Sequence, residues 1–279
     1  MTEQEIQGFE IQQLLEAIFF RYGYDFRHYA AASLSRRILN RVAMSGLSCV
    51  ADLTAKILRD SEVFELFLKD MSITVTEMFR DPYVFKKIRE EVCLHLQTYP
   101  RINIWHAGCA TGEEAYSMAI LLKEEGLLDR CQIYATDYNN HSLSIAKKGI
   151  YPASQIKQYS QNYMASGAKA SFADYYSAKY GLAKMDDSLK KNITFANHNL
   201  MKDQSFAQMH LILCRNVLIY FDPELKNRAL DIFSQSLIHR CFLVLGDKES
   251  LDFSQVQDAF EVSSRKEKIY RKAKVQMMT

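Results

Sequence analysis

An α/β architecture is predicted: an all-helical N-terminal domain, then a doubly wound sheet carrying a small inserted subdomain. Three observations predict it. Before residue 100, apolar residues recur at three- and four-residue steps and show no β-type alternation. From residue 102, short apolar runs alternate with helical stretches, as parallel βαβ units with helices on both faces of a sheet require. Residues 152–190 break that rhythm with polar, Tyr/Ser/Ala/Lys-rich sequence. The expected boundaries are 1–75 for the helical domain, 76–279 for the α/β domain and about 152–190 for the insert.

The elements follow in order. Ile11, Leu14, Leu15, Ile18 and Phe19 form the buried stripe of a first helix. A second helical run begins at Ser33. At 100° per residue it places Leu34, Ile38, Leu39 and Val42 on one side and Arg36, Arg37, Asn40 and Arg41 on the other. Asp60 or Ser61 caps a later helix containing Val63, Phe64, Phe67 and Leu68. Strands are expected at Ile102–His106, Gln132–Thr136, Ile193–Ala196, Leu211–Cys214 and Cys241–Leu245. Helices are expected from Glu113 to Glu125 and from Ser142 to Lys148. Phe260–Ser263 and Lys268–Arg271 read as an antiparallel edge hairpin. The run Ser171–Tyr176 does not read as a strand hairpin.

Composition removes several function classes. Among 279 residues, 35 Lys and Arg against 33 Asp and Glu give a net charge of +2, too little for a surface that coats nucleic acid. The charge is uneven, however. Residues 1–20 hold four acids and no Lys or Arg, whereas residues 21–59 hold seven bases against two acids. No apolar run reaches the ~18 residues of a membrane span, and the acidic start does not resemble a secretory signal. Cysteines 49, 93, 109, 131, 214 and 241 form no C-x-x-C pair, and no H-x-x-x-H spacing occurs, so no metal site is expected. Reduced thiols and a cytoplasmic setting follow.

Trp105–Glu114 follows a strand and opens a helix, and Gly108 and Gly112 let its backbone turn tightly near a ligand. The G-x-x-x-G spacing is not the dinucleotide pattern. Glu113 and Glu114 occupy the turn where a phosphate binder wants bare N–H groups. Asp137 ends the next strand, 29 residues after Gly108, where an acid accepts hydrogen bonds from a ribose diol. A nucleoside carrying a cation and no phosphate fits both features, and S-adenosylmethionine is such a ligand.

Several blocks then resemble the CheR-type chemoreceptor glutamate methyltransferases over essentially the whole chain. They are Tyr24-Asp25-Phe26 with Ser33-Leu34 and Arg36-Arg37-Ile38, Thr74–Asp81, Ala107–Ser117, Ala135-Thr136-Asp137 and, most specifically, Cys214-Arg215-Asn216-Val217-Leu218-Ile219-Tyr220-Phe221. The resemblance implies a Rossmann-like class I methyltransferase domain behind a helical docking domain. It implies transfer from S-adenosylmethionine to receptor glutamate carboxylates, leaving methyl esters and S-adenosylhomocysteine. It assigns Thr74, Thr76, Arg80, Gly108, Glu114, Asp137, Asn199, Leu200, Arg215 and Asn216 to the cofactor pocket. Arg80 and Tyr220 become the catalytic pair. Arg36, Arg37 and Arg41 become the surface that docks an acidic helical methylation region.

This sequence departs from the family's usual pattern in three places. Thr74 stands where Asn is common, Gly246-Asp247-Lys248-Glu249 replaces G-H-S-E, and the insert occupies the place of a small β-subdomain that grips a receptor peptide in some members. Methyl transfer to a carboxylate of ordinary pKa ~4.3 needs no general base, in keeping with the lack of a Ser/His/Asp or Cys/His constellation. The competing readings are a methyltransferase acting on another protein or a small molecule, and a non-catalytic binding module on the same fold.

Overall fold

The computed structural model describes residues 2–71 and 76–273. The chain divides into two compact units, Met1–Ile73 with Ile219–Arg228, and Thr74–Leu218 with Ala229–Thr279.

The first unit is helical. α1 (Glu3–Tyr22) starts at a capping box, in which Thr2 and Glu5 satisfy each other's backbone N–H, and it ends at Gly23 with φ 74°. Ile11, Leu14, Leu15 and Ile18 are buried along it. Phe19, expected in that stripe, instead lies at the surface under the Arg27 guanidinium, 4.0 Å from its ring centroid. α2 (Ala31–Met44) buries Leu34, Ile38 and Val42. α3 (Val50–Arg59) and α4 (Ser61–Met71) complete the set. The Asp60 carboxylate accepts the Glu62 N–H at 2.8 Å, which is the expected cap. Tyr22 stacks on Phe64 at 3.7 Å and donates to the Ile57 carbonyl at 2.6 Å, tying α1 to α3 and α4. Phe221 joins this unit by an antiparallel bridge to Tyr29.

The second unit is the α/β domain. Its first helix is continuous but changes pitch, running as α5 (Pro82–Lys87), a π-helical turn (Ile88–Val92) and α6 (Cys93–Leu96). Then come β1 (Ile102–Ala107), α7 (Glu113–Glu124), β2 (Cys131–Asp137) and α8 (Asn140–Lys148). The insert holds β3 (Ile150–Pro152), α9 (Ile156–Ala165), β4 (Tyr176–Lys179), β5 (Leu182–Met185) and α10 (Asp187–Lys190). β6 (Ile193–Asn197), β7 (Met209–Cys214), α11 (Pro223–Ser236, with its first turns in the helical unit), β8 (Leu237–Leu245), β9 (Phe260–Ser264) and β10 (Ile269–Lys272) complete the chain.

Seven strands form one sheet in the order β6-β2-β1-β7-β8-β10-β9. β6, β2, β1, β7 and β8 run parallel, and β10 and β9 close the edge antiparallel, as the apolar runs predict. β7 is buried at all six residues, as a central parallel strand must be. Strand order reverses between β1 and β7, which opens a crevice beyond their carboxyl ends.

The insert is better ordered than its sequence suggests. β3, β5 and β4 form a separate antiparallel sheet, so residues 176–185 are a hairpin after all, turning at Tyr180 (φ 53°) and Gly181 (φ 74°). The run read as irregular is a short 3-10 turn, Phe172–Tyr175, that leads into it. Polar contacts fix the insert to α7: Tyr175 donates to Glu124 at 3.0 Å and Tyr163 donates to the same oxygen, while Arg89, from the π-helical turn, pairs with Glu124 at 2.6 Å and with Glu125 at 2.5 Å. No helix among the described residues is long and apolar enough to cross a membrane.

Candidate functional site

Four loops meet at the carboxyl ends of the parallel strands. Eight non-glycine residues among those described have positive φ, and four of them lie in these loops: Phe79, Asp81, Ala110 and Asn216. Strain gathered in this way marks a site whose surroundings over-determine the backbone.

The turn after β1 is the tightest. Gly108 (φ 79°) and Cys109 both donate their N–H to the Thr136 carbonyl, at 2.8 and 2.9 Å. A Cβ on Gly108 would lie 2.5 Å from Val217 Cγ2, so the glycine is dictated by close approach as well as by φ. Asp137, at the end of β2, spans the turn. Its Oδ2 accepts the Ala110 N–H and its Oδ1 the Asn139 N–H, both at 2.9 Å. Burial pushes the Asp137 carboxyl up, and the N–H groups of Asn139, Ala110 and Tyr138 oppose that shift. Each oxygen retains a lone pair for a further donor. The His198 N–H reaches the Asp137 carbonyl at 3.2 Å, which brings the β6 turn with Asn199 and the buried Leu200 alongside. Asn199 Oδ1 accepts the Met201 N–H at 2.9 Å and so shapes that turn.

Glu114 and Arg215 form the charged centre. Glu114 Oε2 accepts from Arg215 Nη1 at 2.8 Å, and Oε1 lies 3.0 Å from His106 Nδ1. Burial pushes the Glu114 carboxyl up, but the Arg215 guanidinium and His106 outweigh it and hold the group below the usual carboxylate range. Arg215 is buried with 1% side-chain exposure, and its Nη2 pairs with Asp81 at 2.6 Å. Both of its terminal nitrogens donate to the Arg80 carbonyl at 3.2 Å. Arg80 therefore sits on a segment locked to the first turn of α7 through one guanidinium.

The loop after β7 is stapled by Glu249. Its carboxylate, 3% exposed as a residue, accepts the N–H groups of Asn216 (3.1 Å), Val217 (2.9 Å) and Gly246 (2.6 Å). At the start of α7, Glu113 accepts the Thr111 hydroxyl at 2.7 Å, and burial pushes its carboxyl up to about 7.

The structure thus unites Arg80, Gly108, Glu114, Asp137, Asn199, Leu200, Arg215 and Asn216 around the crevice, with Thr76 half-buried at the start of the Arg80 segment. Thr74 lies outside the described residues. Tyr220 is grouped with the helical unit, where its ring lies 5.4 Å from Arg37 Cζ and its carbonyl accepts the Ala30 N–H at 2.9 Å. The expected basic docking arc is not a free surface. Arg41 is 9% exposed and paired with Asp70, and Arg37 is half-buried and donates to the Met71 carbonyl at 2.6 Å. The 100° arc places all three arginines on one side of α2, but α4 covers part of that side, and only Arg36 is exposed. Glu249 and Asp81 were absent from the expected site. Glu249 is the acid that Gly246-Asp247-Lys248-Glu249 shares with G-H-S-E, and nothing in its spacing marks its three main-chain partners.

These residues fit a cationic nucleoside: a glycine turn that approaches closely, a buried carboxylate for a diol, and no anion-binding cradle. The sequence model described as "CheR methyltransferase, SAM binding domain" matches residues 74–269, and "CheR methyltransferase, all-alpha domain" matches residues 10–72. The chain belongs to the CheR methyltransferase family. S-adenosylmethionine is therefore its cofactor, and methyl transfer its chemistry. A CheR relative from Pseudomonas putida, provisionally named methyltransferase Cher3, is 50% identical over 98% of this chain and 100% of its own length. The chemotaxis protein methyltransferases of Vibrio anguillarum and Vibrio cholerae are 31% and 30% identical, each over 85% of this chain and 86% of its own length. Solved structures match more distantly. Magnesium protoporphyrin IX methyltransferase of Synechocystis, with S-adenosylmethionine bound, is 16% identical over 68% of this chain and 77% of its own, with TM-score 0.35. The StiE O-MT structure is 13% identical over 57% of this chain, with TM-score 0.33; this chain spans only 42% of it.

Proposed function

We propose that this CheR-family chain methylates glutamate side-chain carboxylates of a chemoreceptor or related signalling protein, forming glutamate methyl esters. The observation that carries the proposal is the shared frame of Arg80 and Glu114, both held by the buried Arg215. A cation carried on a segment whose main chain is bonded to that frame suits an anionic acceptor. When bound, S-adenosylmethionine supplies an electrophilic methyl group on a sulfonium. Asp137 accepts from its ribose, Glu114 takes its amino group, and Asn199, Leu200, Arg215 and Asn216 line its remaining surface. Arg80 orients the incoming carboxylate, and Tyr220 is the second residue to which the family resemblance gives a catalytic role. The acceptor is already ionised at neutral pH, so the residues need only position it and exclude water. Orientation of this kind recovers on the order of 7–11 kcal/mol of barrier.

The relatives named as chemotaxis protein methyltransferases support a receptor as substrate. The partner is an acidic helical methylation region, met by the exposed Arg36. The test is transfer of label from S-adenosylmethionine to a receptor fragment and to the same fragment with its glutamates changed to glutamine. Label should enter the first and not the second. Equal labelling of both would overturn the proposal.

A further inference from the structure

We infer that Asn162, on α9 of the insert, is a positioning residue for Arg80. The inference rests on the reading of Arg80 given above. The main chain around Arg80 is held at every polar group that matters. Asn162 Nδ2 donates to the Met78 carbonyl at 3.0 Å, and the Phe79 N–H donates to Ser117 Oγ at 2.9 Å. Ser117 in turn donates to the Glu113 carbonyl at 2.7 Å, and Arg215 takes the Arg80 carbonyl. Gln158 donates to Asn162 Oδ1 at 2.9 Å, which fixes the Asn162 amide with its NH2 toward Met78.

This clamp has work to do. Phe79 and Asp81, on either side of Arg80, have φ of 53° and 55°. Left-handed backbone at non-glycine residues costs roughly 1–3 kcal/mol each. Unheld, the segment would relax to an ordinary extended or helical path and re-aim Arg80. Ser117 and Arg215 anchor the segment to the cofactor turn and to β7. Asn162 is the polar anchor from the opposite side, and it is 7% exposed. The insert adds an apolar grip on Phe79, through Tyr163 at 5.2 Å and Phe172 at 6.4 Å. The insert therefore builds part of the active site.

The test is a double-mutant cycle with Asn162→Ala, Arg80→Lys and the combined variant. It reads kcat and KM for the receptor fragment, the Kd for S-adenosylmethionine, and amide exchange across residues 78–81. Asn162→Ala should lower kcat about 10- to 100-fold, the scale of a misplaced group, with cofactor Kd nearly unchanged. In the Arg80→Lys background most of that loss should vanish, and exchange at 78–81 should quicken while the sheet stays protected. Ser117→Ala should reproduce the pattern, which keeps the test decisive if Asn162→Ala folds poorly. Wild-type kcat in a folded Asn162→Ala, or an undiminished loss in the Arg80→Lys background, would overturn the inference and leave the role of Arg80 intact. Wild-type turnover by Arg80→Lys and Arg80→Ala would instead sink the reading of Arg80, while the exchange data would still report whether Asn162 holds the segment.

Discussion

Single carboxylates carry the cofactor turn. Asp137 accepts two backbone N–H groups while buried, so Asp137→Asn turns one acceptor into a donor facing an N–H. A mispaired buried group costs roughly 1–3 kcal/mol. Calorimetry should show S-adenosylmethionine bound about 10- to 100-fold more weakly. Glu113 gives a pH signature. Burial lifts its folded pKa to about 7, above the ordinary 4.5, so its contribution to stability is full below about 4.5 and is lost as pH rises through about 7. Melting temperature followed against pH should fall across that window in the wild type, and Glu113→Gln should flatten the fall; parallel curves would contradict the assignment. Tyr220→Phe leaves the ring beside Arg37 and removes only a hydroxyl. It should keep cofactor affinity and lose about 100-fold in turnover if that hydroxyl faces the reaction, and rapid-quench kinetics decide it. Gly108, Glu114, Asp137, Arg215 and Asn216, which the structure gathers at the carboxyl ends of the strands, were marked by short unusual strings. Glu249, Ser117 and Asn162 were not. Each acts by bonding to another segment's main chain, and pairing of that kind leaves no trace in spacing.

Elements were legible where their pattern is local. The parallel strands read as apolar runs, and the cap of α4 read from Asp60. The π-helical turn at Ile88–Val92 and the three-stranded sheet of the insert did not. The former carries Arg89, whose partners Glu124 and Glu125 lie 35 and 36 residues away and so leave no local signal. The latter has short, mostly exposed strands whose stability comes from Tyr163 and Tyr175 meeting α7. α2 shows how a helical wheel misleads. Its basic arc is real in angle, but α4 supplies Asp70 and the Met71 carbonyl to Arg41 and Arg37. Arg41→Met should therefore lower the melting temperature of the helical unit, by less than the roughly 3–5 kcal/mol of a fully buried pair, because the Asp70 side chain keeps 21% exposure. Arg36→Ala should leave melting unchanged and weaken receptor binding, most visibly at low salt. A reversed result would return the docking role to Arg41.

At the scale of the whole chain, a net charge of +2 conceals an acid-lined cofactor turn in one unit and basic residues in the other, several of them committed to internal pairs. The measurement that bears most directly on the proposed chemistry uses methyl-labelled S-adenosylmethionine and a receptor fragment, followed by treatment with alkali. Transfer to a carboxylate predicts release of the label as volatile methanol. A protein-bound label that survives alkali would contradict it.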